Sequence, residues 1–257
     1  MRIATWNING MNARGDYLKH WLRAVTPDLV GLQELKMTDD KFPAAELEAL
    51  GYRATTHGQK SWNGVAVLSR GDVEVIQRGL PTQEDAGARL LSVRQGDLTF
   101  VTVYCPNGKT VEHEDFGMKL AWYDALIGYL EAELDPNAPL VVTGDFNVVP
   151  APIDSWNEEK LHGRIFHTEP ERERIQRLLD WGLVDAWRAV HPSEPGHTWW
   201  DYREGAFHKR QGLRIDLVLV TRPVMDRVEG AHLSRDWRKK VEGLTPSDHT
   251  PVWIDLR

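Results

Sequence analysis

The sequence predicts a layered α/β protein in which at least some strands pair antiparallel. Apolar strand candidates recur along the chain with amphipathic helical segments between them. One stretch, residues 89–108, reads as a hairpin that turns around Gln95, Gly96 and Asp97. No segment has the composition of a linker and no internal repeat is present, so we expect one domain over residues 1–257.

The N-terminal third supplies two strand candidates with a helix between them. Residues 2–8 read as a strand that closes in the letters NING. Residues 16–25 are predicted to be helical, because four apolar residues fall at helical spacing on one face: Leu18, Trp21, Leu22 and Val25. The apolar run 28–35 then predicts a buried strand that delivers Glu34 at its end.

The middle of the chain continues the alternation. Residues 64–70 read as a strand and the hairpin of residues 89–108 follows. Residues 119–134 are predicted to be helical, with one apolar face formed by Leu120, Tyr123, Ile127, Leu130 and Leu134. In residues 138–150 an apolar strand is expected to break at Gly144 and to deliver Asp145 and Asn147.

The C-terminal part adds a helix and two strands. Residues 171–181 are predicted to be helical and to stop at Gly182. Residues 214–220 form a strand candidate that carries Asp216. Residues 251–256 alternate as a final strand would, with Val252 and Ile254 on one face and Trp253 on the other.

Composition limits the possible functions. The net charge of −7 argues against a protein that coats nucleic acid by bulk electrostatics, although acidic metal ligands would leave processing of nucleic acid open. A single cysteine, Cys105, excludes an internal disulfide and fits a reducing compartment. The chain shows no secretory signal and no apolar run long enough for a membrane span, so we expect a cytoplasmic protein without a membrane partner.

Polar residues stand where four otherwise apolar strands end: Asn7 with Asn9, Glu34, Asp145 with Asn147, and Asp216. Each has an ordinary alternative, such as an ion pair for Glu34 or a turn cap for Asp145. Together they would form a set of hard oxygen ligands at one rim of a sheet, which suits Mg²⁺ or Mn²⁺ rather than Zn²⁺. The spacing of the histidines, with no cysteine near them, also argues against zinc.

Asp248 and His249 lie in a loop stiffened by Pro246 and Pro251, just before the final strand. Taken alone, the pair could be a turn in which Asp248 caps a backbone N–H and His249 lies at the surface. A magnesium site with a carboxylate base and this Asp-His pair beside it would instead be equipped to hydrolyse a phosphate ester.

Six motifs in this order resemble the exonuclease III family of abasic-site endonucleases, within the endonuclease/exonuclease/phosphatase superfamily. They are TWNING (5–10), LQELK (32–36), VYCPNG (103–108), GDFNVVP (144–150), GLRIDLVL (212–219) and SDHTPV (247–252). The stretches WNGVAVLSR (62–70) and WGLVDAWR (181–188) match as well. The resemblance implies a four-layered α/β sandwich, two mixed β-sheets packed face to face and flanked by helices, with the active site at one end.

The resemblance also implies a role for each site residue. Glu34 would be the main metal ligand with Asn7 beside it, and Asp145 would orient or deprotonate the attacking water. Asn147 would bind a phosphate oxygen, Tyr104 would support the phosphate or the leaving oxygen, and Asp216 would hold His249 toward the scissile phosphate. The catalytic set is thus Tyr104, Asp145, Asn147, Asp216 and His249. The metal set for Mg²⁺, with Mn²⁺ able to substitute, is Asn7, Glu34, Asp145, Asn147 and Asp248, where Asp248 would either lie behind the ligands or bind the metal at an alternative position.

The DNA-binding set implied by the resemblance is Arg14, Asn107, Lys109, Trp199, Leu213 and Ile215. Its last three members would form a small apolar pocket for a flipped-out abasic sugar, whereas Trp200 is expected in the core. Basic residues cluster at 208–212 and 235–240, with Lys36 and Lys60 near motif ends, and could be solvated surface or phosphate contacts. Two departures stand out: Asn12 replaces an arginine common in the family, and Asn9 replaces an aspartate of some relatives.

The expected function is Mg²⁺-dependent cleavage of duplex DNA 5′ to abasic sites, with 3′–5′ exonuclease and 3′-phosphatase activity, by a monomer. Its substrates would be duplex DNA with abasic sites or blocked 3′ ends. Two alternatives stay open: a phosphodiesterase of the same superfamily with another substrate, and a non-catalytic DNA-binding module on the same fold. The sequence leaves the balance of these activities and the number of metal ions undecided.

Overall fold

The computed structural model describes residues 1–257 and shows twelve strands in two six-stranded sheets. In chain order the strands are β1 (Arg2–Asn7), β2 (Leu29–Gln33), β3 (Arg53–His57), β4 (Val65–Ser69), β5 (Glu74–Arg78), β6 (Leu90–Gln95), β7 (Leu98–Tyr104), β8 (Leu140–Asp145), β9 (Leu183–Asp185), β10 (Asp216–Thr221), β11 (Val228–Leu233) and β12 (Val252–Leu256). The helices are α1 (Met11–Val25), α2 (Ala44–Glu48), α3 (Glu114–Glu133), α4 (Glu158–Leu161), α5 (Glu169–Trp181), α6 (Ala186–Val190) and α7 (Arg222–Met225).

Both sheets are mixed. The first has the strand order β11-β12-β1-β2-β4-β3 and the second has the order β5-β6-β7-β8-β10-β9. In each sheet one central pair is parallel, β1 with β2 and β7 with β8, and the other neighbours are antiparallel. The predicted hairpin is confirmed, since β6 and β7 pair from Leu90↔Val103 to Gln95↔Leu98.

Three apolar cores hold four layers together. One core lies between the sheets and joins side chains such as Ile3 of the first sheet to Phe100 and Val218 of the second. The second core packs α3 and α5 on the outer face of the second sheet, and the third packs α1 on the outer face of the first. The expected four-layered α/β sandwich is therefore confirmed. None of the helices combines the length and apolar character needed to cross a bilayer.

The side-chain period of the strands places the polar residues between the sheets. In β8, Val141 belongs to the core between the sheets, and Thr143 and Asp145 follow it at intervals of two on the same face. In β10, Val220, Val218 and Asp216 likewise lie on one face at intervals of two, and the two valines belong to the core between the sheets. The space between the sheets is therefore apolar through most of its length and becomes polar at one end, where the active-site candidates gather.

Several element boundaries differ from the predictions. Helix α1 begins at Met11, α3 at Glu114 and α5 at Glu169, each earlier than expected. The last two begin at polar caps: His113 accepts from Asp115 N, and Thr168 forms a capping box with Glu171. The expected break of β8 at Gly144 is wrong, because the strand continues to Asp145. Gly144 has a φ of 149° there, and a Cβ at this position would overlap the carbonyl oxygen of Val103.

Four strands were missed by the sequence pattern, and all four are the edges of the two sheets: β3, β5, β9 and β11. Edge strands are half-exposed and can carry charged residues without cost, so their apolar signal is weak. Strand β5, for example, reads EVIQR and has no fully buried residue. The buried central strands were found because they are nearly continuous apolar runs.

Candidate active site

Four strands bring carboxylates and amides together at the polar end of the space between the sheets. Asn7 is the last residue of β1, Asp145 ends β8 and pairs in register with Asp216, the first residue of β10. Glu34 follows β2 directly, and Tyr104 ends β7 opposite Asp145. The predicted convergence is therefore present in the fold.

Asn7 lies between two carboxylates. Its Nδ2 donates to Glu34 Oε1 at 2.8 Å and to Asp145 Oδ2 at 2.9 Å, while its Oδ1 accepts the backbone N–H of Asn9 at 3.0 Å. As placed, Asn7 presents its nitrogen to the carboxylates. Lys36 Nζ lies 2.8 Å from Glu34 Oε2 and so supplies a positive charge at the same carboxylate.

His249 lies between two aspartates and is buried. Its Nδ1 is 2.8 Å from Asp216 Oδ2, and its Nε2 is 3.8 Å from Asp145 Oδ2. Burial alone lowers the pKa of His249, but the carboxylates of Asp216 and Asp145 outweigh burial, so the pKa is raised. Burial raises the pKa of Asp145 because charge is costly away from water. The imidazole is thereby favoured as a cation with Nε2–H directed toward the site.

The second oxygen of Asp216, Oδ1, is buried and has no hydrogen-bond donor. The strand start that carries Asp216 is fixed by Thr198, whose Oγ1 accepts the backbone N–H groups of Ile215 at 3.0 Å and Asp216 at 3.1 Å. The loop of His249 is fixed in a similar way, since Ser247 Oγ accepts the His249 N–H at 3.2 Å.

Asn147 is held from three sides. Its backbone N–H donates to Asp145 Oδ1 at 2.9 Å, and its Nδ2 donates to the carbonyl of Cys105 at 2.9 Å. Its own carbonyl accepts from Lys119 Nζ at 2.6 Å. Asn147 thus orients Asp145 through its backbone.

Lys119 was not predicted as part of the site. It is fully buried, and its ammonium also contacts Glu171 Oε1 at 2.5 Å and the carbonyl of Asn107 at 3.2 Å. Glu171 in turn accepts from Thr168 at the start of α5. In the sequence, Lys119 and Glu171 each stand at the start of a predicted helix. The sequence does not show that the two side chains meet, because that depends on how the two helices pack.

Asp248 lies beside the cluster of Glu34, Asp145 and His249. Its Oδ1 accepts from Asn9 Nδ2 at 2.8 Å, and its Oδ2 accepts from Trp199 Nε1 at 3.0 Å. Burial alone raises the pKa of Asp248, but His249 and these hydrogen bonds outweigh it, and the pKa is lowered. The carboxylate therefore fixes Asn9 and the Trp199 ring.

Tyr104 is buried at the opposite side of the cluster. Arg89 donates to its backbone carbonyl at 3.2 Å and lies 4.8 Å from its ring centroid. Burial, together with the carboxylates of Glu34 and Asp145, raises the pKa of Tyr104 well above its usual value. The phenol therefore stays protonated and can donate a hydrogen bond.

The backbone around the cluster is strained at four residues that are not glycine. Asn9, Glu34, Lys36 and Asn147 have φ values of 47°, 54°, 56° and 50°. The left-handed region costs a residue with a Cβ roughly 1–2 kcal/mol, less for asparagine. Strain concentrated in the loops that carry the polar residues is typical of a functional site.

The donor set fits a divalent cation. Ligand atoms of Glu34, Asp145 and His249 all lie within 4.8 Å of one another. The carboxylates of Glu34, Asp145 and Asp216 face only two cationic groups, Lys36 and the protonated His249, and Asp216 keeps an oxygen without a donor. Buried carboxylates in such excess require positive charge, and hard oxygen donors suit Mg²⁺. Asp248 lies outside this group of carboxylate and imidazole ligands.

A cavity of about 430 Å³ lies where the apolar pocket was predicted, and its lining is partly apolar and partly charged. Trp199 and Leu213 line it, together with Trp156 and Phe166. Ile215 is buried beneath the cavity in the same apolar cluster and does not line it. Trp199 connects the cavity to the polar cluster, because its ring also lies 6.5 Å from the His249 ring. Trp200, as expected, is in the core.

The remaining DNA-binding candidates lie on two sides of the site. Arg14 Nη1 donates to the Asn9 carbonyl at 2.6 Å. Asn107 and Lys109 line a groove of about 780 Å³ that Tyr104 also lines, and Lys109 Nζ lies 2.9 Å from Asp115. Asn12 is exposed on α1.

Comparison with known proteins agrees with this geometry. Exodeoxyribonuclease III of Haemophilus influenzae is 36% identical over 100% of both chains. A solved 3′ phosphatase from Neisseria, bound to a product DNA hairpin, is 36% identical with a TM-score of 0.95 and covers 100% of this chain and 99% of its own. An AP endonuclease from Archaeoglobus fulgidus is 32% identical with a TM-score of 0.94, with the same coverage. The profile of the Endonuclease/Exonuclease/phosphatase family matches residues 4–249, and so the chain belongs to that family, among its exonuclease III-like members.

Proposed function

We propose that this protein is a Mg²⁺-dependent DNA repair nuclease that hydrolyses the phosphodiester 5′ to abasic sites in duplex DNA and also removes nucleotides and phosphates from 3′ ends. The observation that carries the proposal is the convergence of Glu34, Asp145 and the Asp216–His249 pair at one buried rim. The relatives named exodeoxyribonuclease III, 3′ phosphatase and AP endonuclease support each of the three activities.

The cation would be held by Glu34 and Asp145, with Asn7 beside them. Mg²⁺ is favoured by the oxygen donors, and Mn²⁺ accepts the same donors. When bound, the cation supplies positive charge that stabilises the phosphate as negative charge builds up on its oxygens. The asparagine at position 9 donates to Asp248, so the two residues already satisfy each other and a second cation is not required there.

Asp145 would act as the base that accepts a proton from the attacking water. Its Oδ1 is oriented by the Asn147 N–H and its Oδ2 by Asn7, which fixes the direction of the carboxylate. Water oxygen bonds to phosphorus while the P–O3′ bond breaks, leaving a 3′-hydroxyl and a 5′-phosphate. Proton transfer to a well-placed carboxylate contributes about 10²–10⁴-fold to such a rate.

His249, held by Asp216, would donate from Nε2 to a phosphate oxygen in the transition state. The charge of the imidazolium is stabilised by a buried aspartate at 2.8 Å, so the donor is in place before the reaction begins. Asn147 would bind another phosphate oxygen through its amide, exchanging its contact with the Cys105 carbonyl. Tyr104 would donate its phenol proton toward the phosphate or the leaving oxygen.

The cavity beside Trp199 would select the damaged nucleotide. A baseless sugar is small and largely apolar on one face, and Trp199 and Leu213 offer it an apolar wall next to the cation-binding carboxylates. Asp248 keeps the Trp199 ring from rotating away. The core between the sheets contains residues from Ile3 to Leu256, which supports a single domain over residues 1–257, and the protein would work as a monomer.

The test is cleavage of a labelled duplex with one tetrahydrofuran abasic analogue, beside an intact duplex, a 3′-recessed duplex and a 3′-phosphate duplex. Wild type and Asp145→Ala are compared with Mg²⁺ and with EDTA. We expect metal-dependent incision at the analogue that Asp145→Ala loses. Cleavage at 3′ ends without incision at the analogue would support the metal-dependent chemistry and contradict the abasic specificity. If no duplex were cleaved, the substrate would be another phosphodiester.

A further inference from the structure

The two basic clusters of the sequence, 208–212 and 235–240, meet in the structure. Residues of both clusters line one groove of about 520 Å³, which is distinct from the cavity beside Trp199. His208, Lys239 and Lys240 line it together with Tyr202 and Phe207. Neither cluster has a role in the chemistry described above.

Arg238, Tyr202 and Phe207 line this groove and belong to a ladder in which three arginines alternate with two aromatic rings. Successive guanidinium-to-centroid distances are 5.9 Å from Arg14 to Tyr202, 5.1 Å from Arg238 to Tyr202, 5.0 Å from Arg238 to Phe207 and 4.0 Å from Arg235 to Phe207. Stacking on aromatic faces fixes the plane of a guanidinium without using its N–H groups. We call these five residues, Arg14, Tyr202, Arg238, Phe207 and Arg235, the arginine ladder.

The ladder arginines have no acidic partner. None of the three lies within 4.0 Å of a carboxylate oxygen, whereas Arg172 and Arg214 each bind carboxylates through two nitrogens. Their contacts are to backbone carbonyls or to the Tyr202 hydroxyl, and Nε of all three is buried without a hydrogen-bond partner. Arg238 is only 7% exposed. The positive charge of three arginines without an acidic partner favours an anion beside them.

The ladder begins at the active site. Arg14 Nη1 binds the Asn9 carbonyl, and Asn9 binds Asp248. Tyr202 donates to the carbonyl of Pro246 at 3.0 Å, two residues before Asp248. Asp201, the acidic residue in the groove, already binds Arg203 at 2.6 Å. The groove therefore extends outward from the scissile position with an excess of positive charge.

We propose that the arginine ladder, with Lys239 and Lys240, binds consecutive backbone phosphates of the DNA strand that flanks the scissile bond. This inference rests on the proposed function, since it assumes a DNA substrate. A phosphodiester carries one negative charge and two free oxygens per nucleotide, which matches a row of guanidinium groups that have no acidic partner. Contacts of this kind position the duplex and carry no base specificity.

The first test measures the binding of duplex DNA in EDTA by fluorescence anisotropy, over a range of KCl concentrations. The variants are Arg235→Gln and the exposed pair Lys239→Gln/Lys240→Gln, and the control is Arg222→Gln. Arg222 is an exposed arginine at the far end of β10 from Asp216. Each lost phosphate contact should reduce the slope of log Kd against log[KCl] by about 0.9. The control should keep the wild-type slope.

The second test locates the contact. Duplexes trimmed on the 5′ side or on the 3′ side of the cleavage position are compared, and the binding defect of Arg235→Gln should disappear when one of the two flanks is removed and persist with the other. Three outcomes would overturn the proposal that the arginine ladder binds phosphates: salt slopes unchanged in both variants, a reduced slope in the lysine pair alone, or a binding defect of Arg235→Gln that does not depend on either flank. Failure of the wild type to bind and cut any DNA would instead refute the proposed function.

Discussion

The two ends of the sandwich treat charge in opposite ways. At the active-site end, the carboxylates of Glu34, Asp145 and Asp216 are close together and share two cationic groups. At the other end, Arg2 binds Asp255 through two nitrogens, at 2.7 and 3.1 Å, and His232 Nε2 lies 3.0 Å from the same half-exposed carboxylate. The same strands, β1 and β10 among them, run from one end to the other.

The difference shows which end was shaped for stability. Like charges in a buried cluster and left-handed backbone at Glu34 and Lys36 oppose folding, and proteins retain such features where function needs them. The Arg2–Asp255 end has neither feature. Substitutions at the active-site end should therefore separate activity from stability, while substitutions at the other end should change stability alone.

The largest effect is expected for Asp145→Asn. Incision of the abasic duplex should fall by about 10²–10⁴-fold, because the base is lost. The free energy of unfolding without metal should rise by about 1 kcal/mol, because a buried charge next to Asp216 and Glu34 is removed. Steady-state cleavage and urea unfolding measure the two quantities. If Asp145→Asn were less stable than the wild type, the contrast between the two ends would be wrong.

The next effect tests whether the active-site end depends on its buried ion pair. Lys119→Met removes the ammonium that joins Glu171 to the Asn147 and Asn107 carbonyls, and leaves Glu171 as an unpaired buried charge. The free energy of unfolding should fall by about 3–5 kcal/mol.

Lys19→Met is the matched control for this variant. Lys19 also contacts two carboxylates, Asp16 and Glu46, but at the surface of α1. Its loss should cost below about 1 kcal/mol in urea unfolding. Equal losses in the two variants would show that the site end does not depend on buried charge.

The sequence predicted the two ends unequally. Central strands are evident as apolar runs, and the polar residues where such runs stop point to Asn7, Glu34, Asp145 and Asp216 without the motif resemblance. These residues converge because of the order of the strands in the sheets, and a local sequence pattern carries no information on that order. The motif resemblance implied the convergence, and the strand order in the structure agrees with it.

The contacts that were missed depend on packing between distant segments. Lys119 meets Glu171 across two helices, Ile215 lies beneath the cavity while Leu213 lines it, and Asp248 is occupied by Asn9 and Trp199. None of these follows from spacing along the chain. The arginine ladder is similar, since two basic clusters about 25 residues apart read as solvated surface until the fold brings them together.

A smaller effect is expected at the rim of the site, where the substrate is selected. Trp199→Ala should reduce kcat/KM for the abasic duplex by about tenfold, since an aromatic wall of this kind contributes about 1–3 kcal/mol to nucleotide binding. Attack on a 3′-recessed duplex should change less, and Trp156→Ala, which removes a more distant ring of the same cavity, is the control. Equal losses on both substrates would mean that Trp199 acts by holding Asp248.

The smallest effect is expected at the far end. Asp255→Asn should lower the free energy of unfolding by about 0.2–1 kcal/mol at pH 7, as for other half-exposed ion pairs, with DNA cleavage unchanged.

The hydrogen bond and charge of Arg2 lower the pKa of Asp255 below 3.8, its unperturbed value. A lowered pKa contributes stability above the unfolded-state value, and that contribution is lost as the pH falls through the folded-state value. The difference between wild type and Asp255→Asn should therefore shrink as the pH falls below about pH 4. Urea unfolding between about pH 5 and pH 3 measures it, and a difference that grew as the pH fell through this range would mean that Asp255, like the carboxylates at the active-site end, opposes folding.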